Sequence, residues 1–277
     1  RVNAIVGQCT VDPHEVDGPN KHLLVTHQLL RHTDKPIMSW PVATIGENEK
    51  VFKMIEMVMG EGYLASHYFV TASVCALSPL QYAQESADTI IAYARANQPV
   101  TVLTAPMTGV STPISDIGAL VAQNAELLAG IVLAQLVQPG VPVIYGTATY
   151  AADMRSGAFI TGSPLSNLID RAALQLAQSL YHMPTRTLAG NTDAKVPDIQ
   201  AGYETTQNYI QLLMGGTHMI NECLGILDGM MTVSYEKYII DEEMLRRVGC
   251  MMRGLDTSEA SFDMGVLLET PHMEPFL

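Results

Sequence analysis

Short apolar runs alternate with long helical patterns along most of the chain, and this alternation limits the fold to a few classes. The runs are rich in Val, Ile, Thr, Met or Phe and lack strict polar alternation, which is typical of parallel strands covered on both faces. They begin roughly every 31 to 44 residues, the length of one strand-plus-helix unit. The predicted strands are Ala4–Cys9, Pro36–Ser39, Phe69–Ser73, Val100–Leu103, Val141–Tyr145, Thr185–Leu188 and Thr217–Asn221.

Repeated units of this kind form either an open doubly wound sheet or a closed (β/α)8 barrel. No G-x-G-x-x-G or G-x-x-x-x-G-K-[ST] motif follows any strand, which disfavours a nucleotide-binding open sheet. The sequence therefore favours an α/β fold of the TIM-barrel type. Seven strands are one fewer than a barrel needs, so we expect the first βα unit to be missing from this chain. Residues 1–233 are predicted to form the partial barrel, and residues 234–277 a C-terminal helical extension packed on it.

Helix signals lie between the predicted strands. Ser78-Pro79 and Ser163-Pro164 are typical of helix starts, and the first pattern continues to Asn97. The longest apolar stretch, Ile117–Val137, contains Gln123 and Glu126, which a lipid-facing helix would not normally carry near its middle. We therefore expect no membrane segment, and a helix that is buried on most sides inside the protein.

Composition excludes several classes of function. The 277 residues include 28 acidic and 15 basic side chains, a net charge of -13 with no basic stripe, so nucleic-acid binding is not expected. Hydrophobic residues make up 48%, too many for a disordered chain. The four cysteines form no C-x-x-C pair, which argues against a disulfide framework or a zinc site and suits a cytoplasmic protein. Charged residues are sparse, which leaves room for subunit contacts and predicts a homo-oligomer.

In a barrel, functional side chains gather at the carboxyl ends of the strands. These positions are polar but mostly uncharged here, and no nucleophile–base pair or metal cluster emerges from them. Asn191-Thr192-Asp193 is consistent with a substrate-binding loop or with ordinary turn chemistry. His218 suits either a catalyst or a hydrogen-bonded core residue. Lys195 is the one lysine positioned for an aldolase- or lyase-like reaction; a non-catalytic ligand-binding barrel, or an inactive fragment, is a further alternative.

The stretch Leu188–Glu204 resembles a signature of the trimethylamine methyltransferase family, corrinoid-dependent enzymes that act on tertiary and quaternary amines. Tyr145–Thr149, Gly216–His218 and Ser234–Glu243 are similar to that family too. The resemblance implies a barrel and methyl transfer to the Co(I) corrinoid of a separate partner protein, a reaction of one-carbon metabolism and methanogenesis. No pyrrolysine is present, so the chain resembles the branch that uses betaine-type quaternary amines.

The resemblance also implies which residues bind the substrate. A quaternary ammonium already carries an activated leaving group, so the protein mainly aligns the N–CH3 bond in a dry cavity. On that basis His218 is expected to donate to a substrate carboxylate, Asn191 and Asp193 to line the pocket, and Glu222 or Tyr150 to face the cation. No catalytic residue, metal or tightly bound cofactor is assigned. Replacement of His218 by alanine is expected to weaken betaine binding.

Overall fold

The computed structural model describes Val16, Gly18 and residues 20–39 and 43–276. The predicted strand Ala4–Cys9 lies outside these residues. In chain order, the helices and strands are α1 (Lys21–His32), β1 (Ile37–Ser39), α2 (Ile45–Met59), α3 (Tyr63–Ser66), β2 (Val70–Cys75), α4 (Gln84–Arg95), β3 (Val100–Thr104), α5 (Asp116–Val137), β4 (Val143–Thr147), β5 (Ala151–Ala152), β6 (Phe159–Ile160), α6 (Pro164–Gln175), β7 (Thr185–Leu188), α7 (Ile199–Met214), β8 (Met219–Asn221), β9 (Ile226–Leu227), β10 (Thr232–Val233), α8 (Tyr235–Arg253) and α9 (Met264–Glu269).

Six of the described strands form one parallel sheet in the order β1-β2-β3-β4-β7-β8. The sheet curls on itself, so that its two edge strands approach each other. The Asn221 amide nitrogen on β8 lies 3.3 Å from the Met38 sulfur on β1. Helices cover its outer face. This curled half-barrel confirms the predicted TIM-type α/β fold. The two small hairpins, β5–β6 and β9–β10, were not predicted, because two-residue strands are too short to produce a periodic pattern.

Alternate residues of each strand point to opposite sides of the curled sheet. Val74, Val102 and Tyr145 point outward, into one continuous core shared with Ile90 and Leu127 of the surrounding helices. Successive side chains of a strand alternate between its faces, so the neighbours of these residues point into the barrel. The outward-facing side chains of these strands therefore help to form the apolar core, and the inward-facing ones include Ser73, Thr101 and Arg186.

Helix α4 begins later than predicted. The pattern starting at Ser78 predicts a helix to Asn97, whereas the structure has it from Gln84 to Arg95. The carboxylate of Glu126 on α5 accepts hydrogen bonds from the Ser78 hydroxyl at 2.7 Å and the Leu80 amide at 2.8 Å. These bonds hold residues 78–80 in the loop, away from a helical path.

Helix α5, predicted to be buried on most sides, has one exposed face. Among the described residues α5 is the helix long and apolar enough to cross a membrane by length and composition, yet less than half of its most apolar window is buried. Its inner face carries Gln123 and Glu126, both buried and hydrogen-bonded inside the protein. Its outer face carries only uncharged, mainly apolar side chains. Residue periodicity alone did not separate the two faces, because both are largely apolar.

The last part of the described chain is helical. Helix α8 packs against α7, and the residues after Arg253, including α9, lie on the surface. The division between a barrel ending at residue 233 and a separate helical extension stays a prediction.

Candidate active site

Arg186 is the one charged residue among the inward-facing side chains of the six described sheet strands. It comes from β7 and is 3% exposed. Its electrostatic neighbours include Glu222, Tyr150 and Cys75, which follow or end three other strands. The guanidinium therefore lies inside the curled sheet, where side chains from several strands converge.

The guanidinium of Arg186 is only partly paired. Its Nη2 atom lies 3.9 Å from the Glu222 carboxylate, while Nε and Nη1 have no hydrogen-bond partner among the described residues. Burial lowers the pKa of Arg186, and the Glu222 carboxylate raises it again. Arginine keeps its charge inside proteins, and a buried charged donor without an acceptor costs several kcal/mol. Two buried donor nitrogens of a charged side chain are thus left without an acceptor, which favours binding of an anionic group.

Glu222 and Tyr150 stand beside this cation. The Glu222 side chain, at the carboxyl end of β8, is about one-third exposed, so it faces the mouth of the barrel. Tyr150 is buried, with its hydroxyl 3.6 Å from the Met230 sulfur and its ring 5.2 Å from that of Phe159. Burial raises the pKa of Tyr150, and the Glu222 carboxylate raises it further. Tyr150 is therefore a neutral phenol next to one positive and one negative side chain.

Asn191 and Asp193 both follow β7 but differ in their surroundings. Asn191 is buried, and its side-chain oxygen has no hydrogen-bond partner in the described part of the chain. The Asp193 carboxylate accepts from the Thr161 amide at 2.8 Å and the Gly162 amide at 3.0 Å. Asp193 thus ties the β6–α6 connection to the β7–α7 connection. Of the two sequence interpretations of this loop, its hydrogen bonds favour a structural one for Asp193, whereas Asn191 keeps an unused acceptor.

His218 does not join the other predicted site residues. It precedes β8, and its Nδ1 atom accepts from the Thr185 amide at 3.2 Å, at the start of β7. Glu222 follows β8, so the strand itself separates the two side chains. His218 is also exposed. The structure therefore places His218 at the amino ends of the strands and brings Arg186, Glu222 and Tyr150 together, whereas Asn191 lies after the carboxyl end of β7.

The two lysines near the mouth have different environments. Lys195 is 81% exposed and lies 3.6 Å from Asp228, which does not suit the desolvated amine of an aldolase-like site. Lys237 on α8 is 1% exposed and donates to the Gly190 carbonyl at 3.1 Å, the Thr205 hydroxyl at 3.1 Å and the Asp241 carboxylate at 2.5 Å. All three ammonium protons of Lys237 are used, so its role is structural.

The Lys237–Asp241 pair supports the loops that carry the site. Asp241 also accepts from the Gly225 amide at 2.7 Å, and the Gly190 amide donates to the Glu222 carbonyl at 3.2 Å. A Cβ at Gly190 would collide with the backbone of Glu222 and Cys223, so only glycine allows this approach. Helix α8 thereby fixes the segment before Asn191 against the segment containing Glu222.

Large apolar side chains are exposed in the loops around the mouth and at the start of α7. All of them follow carboxyl ends of the sheet strands, the face that holds function in barrels. They are Leu77, Leu80, Val110, Ile114, Met154, Val196, Ile199 and Met231, which we call the apolar rim. Exposed large apolar side chains gathered on one face of a protein are typical of a protein contact. Within the described residues, no group of three or more His, Cys, Asp or Glu side chains is placed to hold a metal ion.

Sequence reasoning missed Arg186. The prediction considered the residues at and after strand ends, whereas Arg186 lies within a strand and reaches the mouth through its long side chain. A signal was present, since one arginine in Thr185–Leu188 interrupts a strand predicted to be covered on both faces. A charge in such a strand is rare without a partner.

Comparison with known proteins gives one family. Residues 3–277 match the family model described as trimethylamine methyltransferase (MTTB). A proline betaine:corrinoid methyltransferase of Eubacterium limosum is 41% identical over 187 residues, 68% of this chain and 38% of that protein. A glycine betaine methyltransferase of Desulfitobacterium hafniense is 33% identical over 260 residues, covering 93% and 54%. The trimethylamine methyltransferase MttB of Methanosarcina barkeri is 35% identical over 258 residues, covering 92% and 49%. The chain thus spans about half the length of these relatives, or less.

Solved structures agree on the fold. The hydroxylamine complex of MtmB aligns with a TM-score of 0.57 at 11% identity, over 92% of this chain and 55% of that one. A dihydropteroate synthase, FolP of Clostridium difficile, aligns with a TM-score of 0.51 at 12% identity, over 90% and 82%. At these identities the likeness supports the barrel-type architecture alone.

Proposed function

Because the chain belongs to the trimethylamine methyltransferase family, we propose that it transfers a methyl group from a betaine-type quaternary amine to the Co(I) corrinoid of a separate partner protein. The observation that carries the betaine assignment is the buried guanidinium of Arg186, whose Nε and Nη1 donors have no partner in the described structure. An amine without an acid group has nothing to offer these donors, whereas the carboxylate of a betaine does.

The carboxylate of the substrate is the acceptor that Arg186 requires. A guanidinium edge presents two parallel N–H donors that match the two oxygens of a carboxylate. In Arg186 such an edge pairs Nη2, which lies 3.9 Å from Glu222, with either Nε or Nη1. Binding of a carboxylate would neutralise a charge that burial otherwise leaves costly. Arg186 thus selects and orients a zwitterionic amine by its acid end.

The ammonium end of the substrate then meets Glu222 and Tyr150. A quaternary ammonium cannot donate a hydrogen bond, so it is recognised by negative charge and by the faces of aromatic rings. Glu222 supplies the charge near the mouth, and the neutral ring of Tyr150 supplies the aromatic face. The guanidinium of Arg186 and the carboxylate of Glu222 thus match the two opposite charges of a betaine, so the substrate binds in one orientation.

The chemistry needs little from the chain beyond this alignment. The partner's Co(I) corrinoid supplies a strong nucleophile for the methyl carbon. The electron pair of the broken N–CH3 bond stays on nitrogen, so a neutral tertiary amine leaves and no proton has to be delivered. The rate enhancement comes from holding the amine in one orientation and keeping water away, whereas other enzymes obtain it from a general acid or base. This agrees with a mouth that contains no nucleophile–base pair among its described residues.

We expect the apolar rim to receive the corrinoid protein. Changing Ile199 to Glu should raise the KM for the corrinoid protein about tenfold or more, because a carboxylate would be desolvated in the contact. The Kd for the betaine should stay unchanged, since Ile199 lies outside the Arg186 site. Met57→Glu on α2 is the matched control, because Met57 is 87% exposed and Ile199 86%. Equal effects of the two variants would contradict docking at the rim.

A direct assay tests the proposed reaction. The chain, and a version extended to the length of its relatives, are mixed with a reduced corrinoid protein and a panel of glycine betaine, proline betaine, carnitine, trimethylamine and tetramethylammonium. Methylation is followed in the visible spectrum of the corrinoid, and we expect it with the carboxylate-bearing amines. Betaine binding without methylation by either version would instead favour a non-catalytic binding barrel.

A further inference from the structure

The outer face of helix α5 is an apolar stripe that nothing in the described structure covers. From the amino end its exposed positions are Ile117, Val121, Ala125, Ala129, Val132 and Leu136. Their spacing of three or four residues puts them in one line along a helix of about 33 Å. We call this line the α5 stripe. Its four large side chains are each more than half exposed.

The α5 stripe carries no charge. The acidic residues of α5 are Asp116 at its first position and Glu126, and Glu126 is buried on the inner face, where Thr104 and Ser78 bond to it. The helix contains no lysine or arginine, so it lacks the cationic flank that an interfacial membrane helix uses to reach anionic lipid. These features favour a protein partner over a lipid surface.

The order of residues in the α5 stripe identifies that partner. Read from either end, the stripe runs from a large aliphatic residue through valine to alanine, then back through valine to a large aliphatic residue. A second α5 laid antiparallel would set Ile117 opposite Leu136 and Val121 opposite Val132, with Ala125 and Ala129 at the centre, where two helices approach most closely. Two-fold symmetric contacts require this self-complementarity. We propose that two copies of this chain associate through antiparallel α5 helices, with the axis between Ala125 and Ala129.

The surface is large enough for such a dimer. Helices α4 and α6 flank α5 on either side, and α6 exposes Leu165 and Leu168. Helix α5 is about 33 Å long and the 12-residue helices α4 and α6 about 18 Å each, with neighbouring axes about 8–10 Å apart, so the three helices present roughly 600 Å². Stable interfaces bury about 600–1,000 Å² per partner, so this face meets the lower end of that range. The active-site mouth lies at the carboxyl ends of the strands, so pairing through the sides of the barrels leaves both mouths free.

Sedimentation of matched variants tests the proposal without any activity assay. We expect the chain to sediment as a dimer at micromolar concentration. Val121→Glu should raise the dimer Kd at least 100-fold, because each copy would bury a carboxylate against Val132 of the other. Val58→Glu on α2 is the control, since Val58 is 60% exposed and Val121 64%. A monomer at all concentrations up to about 100 μM, or equal weakening by both variants, would overturn the proposal.

A charge-pair experiment tests the antiparallel register. Val121→Glu and Val132→Lys should each give monomers. The double variant should dimerise again, because the introduced carboxylate of each copy would face the introduced ammonium of the other. A parallel pairing would instead set like charges against each other, so a double variant that stays monomeric overturns the antiparallel arrangement. Co-flotation of the unchanged chain with lipid vesicles, abolished by Val121→Glu, would assign the stripe to a membrane and overturn the proposal as well.

Discussion

Replacement of Arg186 by methionine is expected to weaken binding of glycine betaine and proline betaine at least 100-fold, and to leave binding of tetramethylammonium within about threefold. Removing one partner from a buried charge pair costs about 3–5 kcal/mol, and each 1.4 kcal/mol is a tenfold change in Kd. Tetramethylammonium has no carboxylate and contacts only the Glu222 and Tyr150 side of the site. Titration calorimetry with both ligands measures the difference.

Two variants serve as controls for this result. Arg171→Met removes a half-buried arginine whose guanidinium donates to Gln211 on the outer layer, so it makes the same chemical change away from the mouth. His218→Ala tests the sequence-based prediction, and because His218 lies at the amino ends of the strands we expect betaine affinity to be unchanged. Equal loss of both ligands in Arg186→Met would indicate a collapsed site. Unchanged betaine affinity would remove Arg186 from recognition.

The sequence predicted the strands well because parallel strands are covered on both faces. The apolar runs from Pro36 to Asn221 each overlap an observed strand, since desolvation of both faces favours residues such as Val, Ile and Thr. One helix start differed: α4 begins six residues after Ser78 because Glu126, far along the chain, holds the loop. Long-range hydrogen bonds of this kind leave no local pattern.

The site was harder to predict than the strands. Glu222, Tyr150 and Asn191 were expected from their positions after strands, and the structure places them at the mouth. His218 was misplaced because it was grouped with Glu222 although it stands at the amino end of the predicted strand Thr217–Asn221. In the structure it precedes β8, at the opposite end of the strand from Glu222. Arg186 was missed because the position of a guanidinium depends on the path of its side chain, which spacing along the backbone does not specify.

Replacement of Lys237 by methionine is expected to have the largest effect on stability, a loss of about 3–5 kcal/mol in the free energy of unfolding. The Asp241 carboxylate would remain fully buried with the Gly225 amide as its hydrogen-bond donor, and its second oxygen already has no partner in the described structure. For a chain of this size the melting temperature should fall by roughly 6 to 20 °C. The Gly190 carbonyl would lose its donor too, so betaine binding should weaken along with stability.

The contribution of the Lys237–Asp241 pair to stability can be distinguished from a general effect of altering α8. Arg246→Met breaks another i,i+4 ion pair on the same helix, with Glu242 at 2.6 Å, but this pair is exposed and should contribute at most about 0.5 kcal/mol. The double variant Lys237→Met/Asp241→Leu should recover most of the loss, because no charge then stays buried.

Burial raises the pKa of Asp241 above its ordinary value, and losing Lys237 raises it further. The folded variant therefore binds a proton more readily than the unfolded chain, so its deficit should be largest near neutral pH and shrink as the pH falls through that raised pKa. A deficit in Lys237→Met that does not change with pH would show that the buried carboxylate is not its cause.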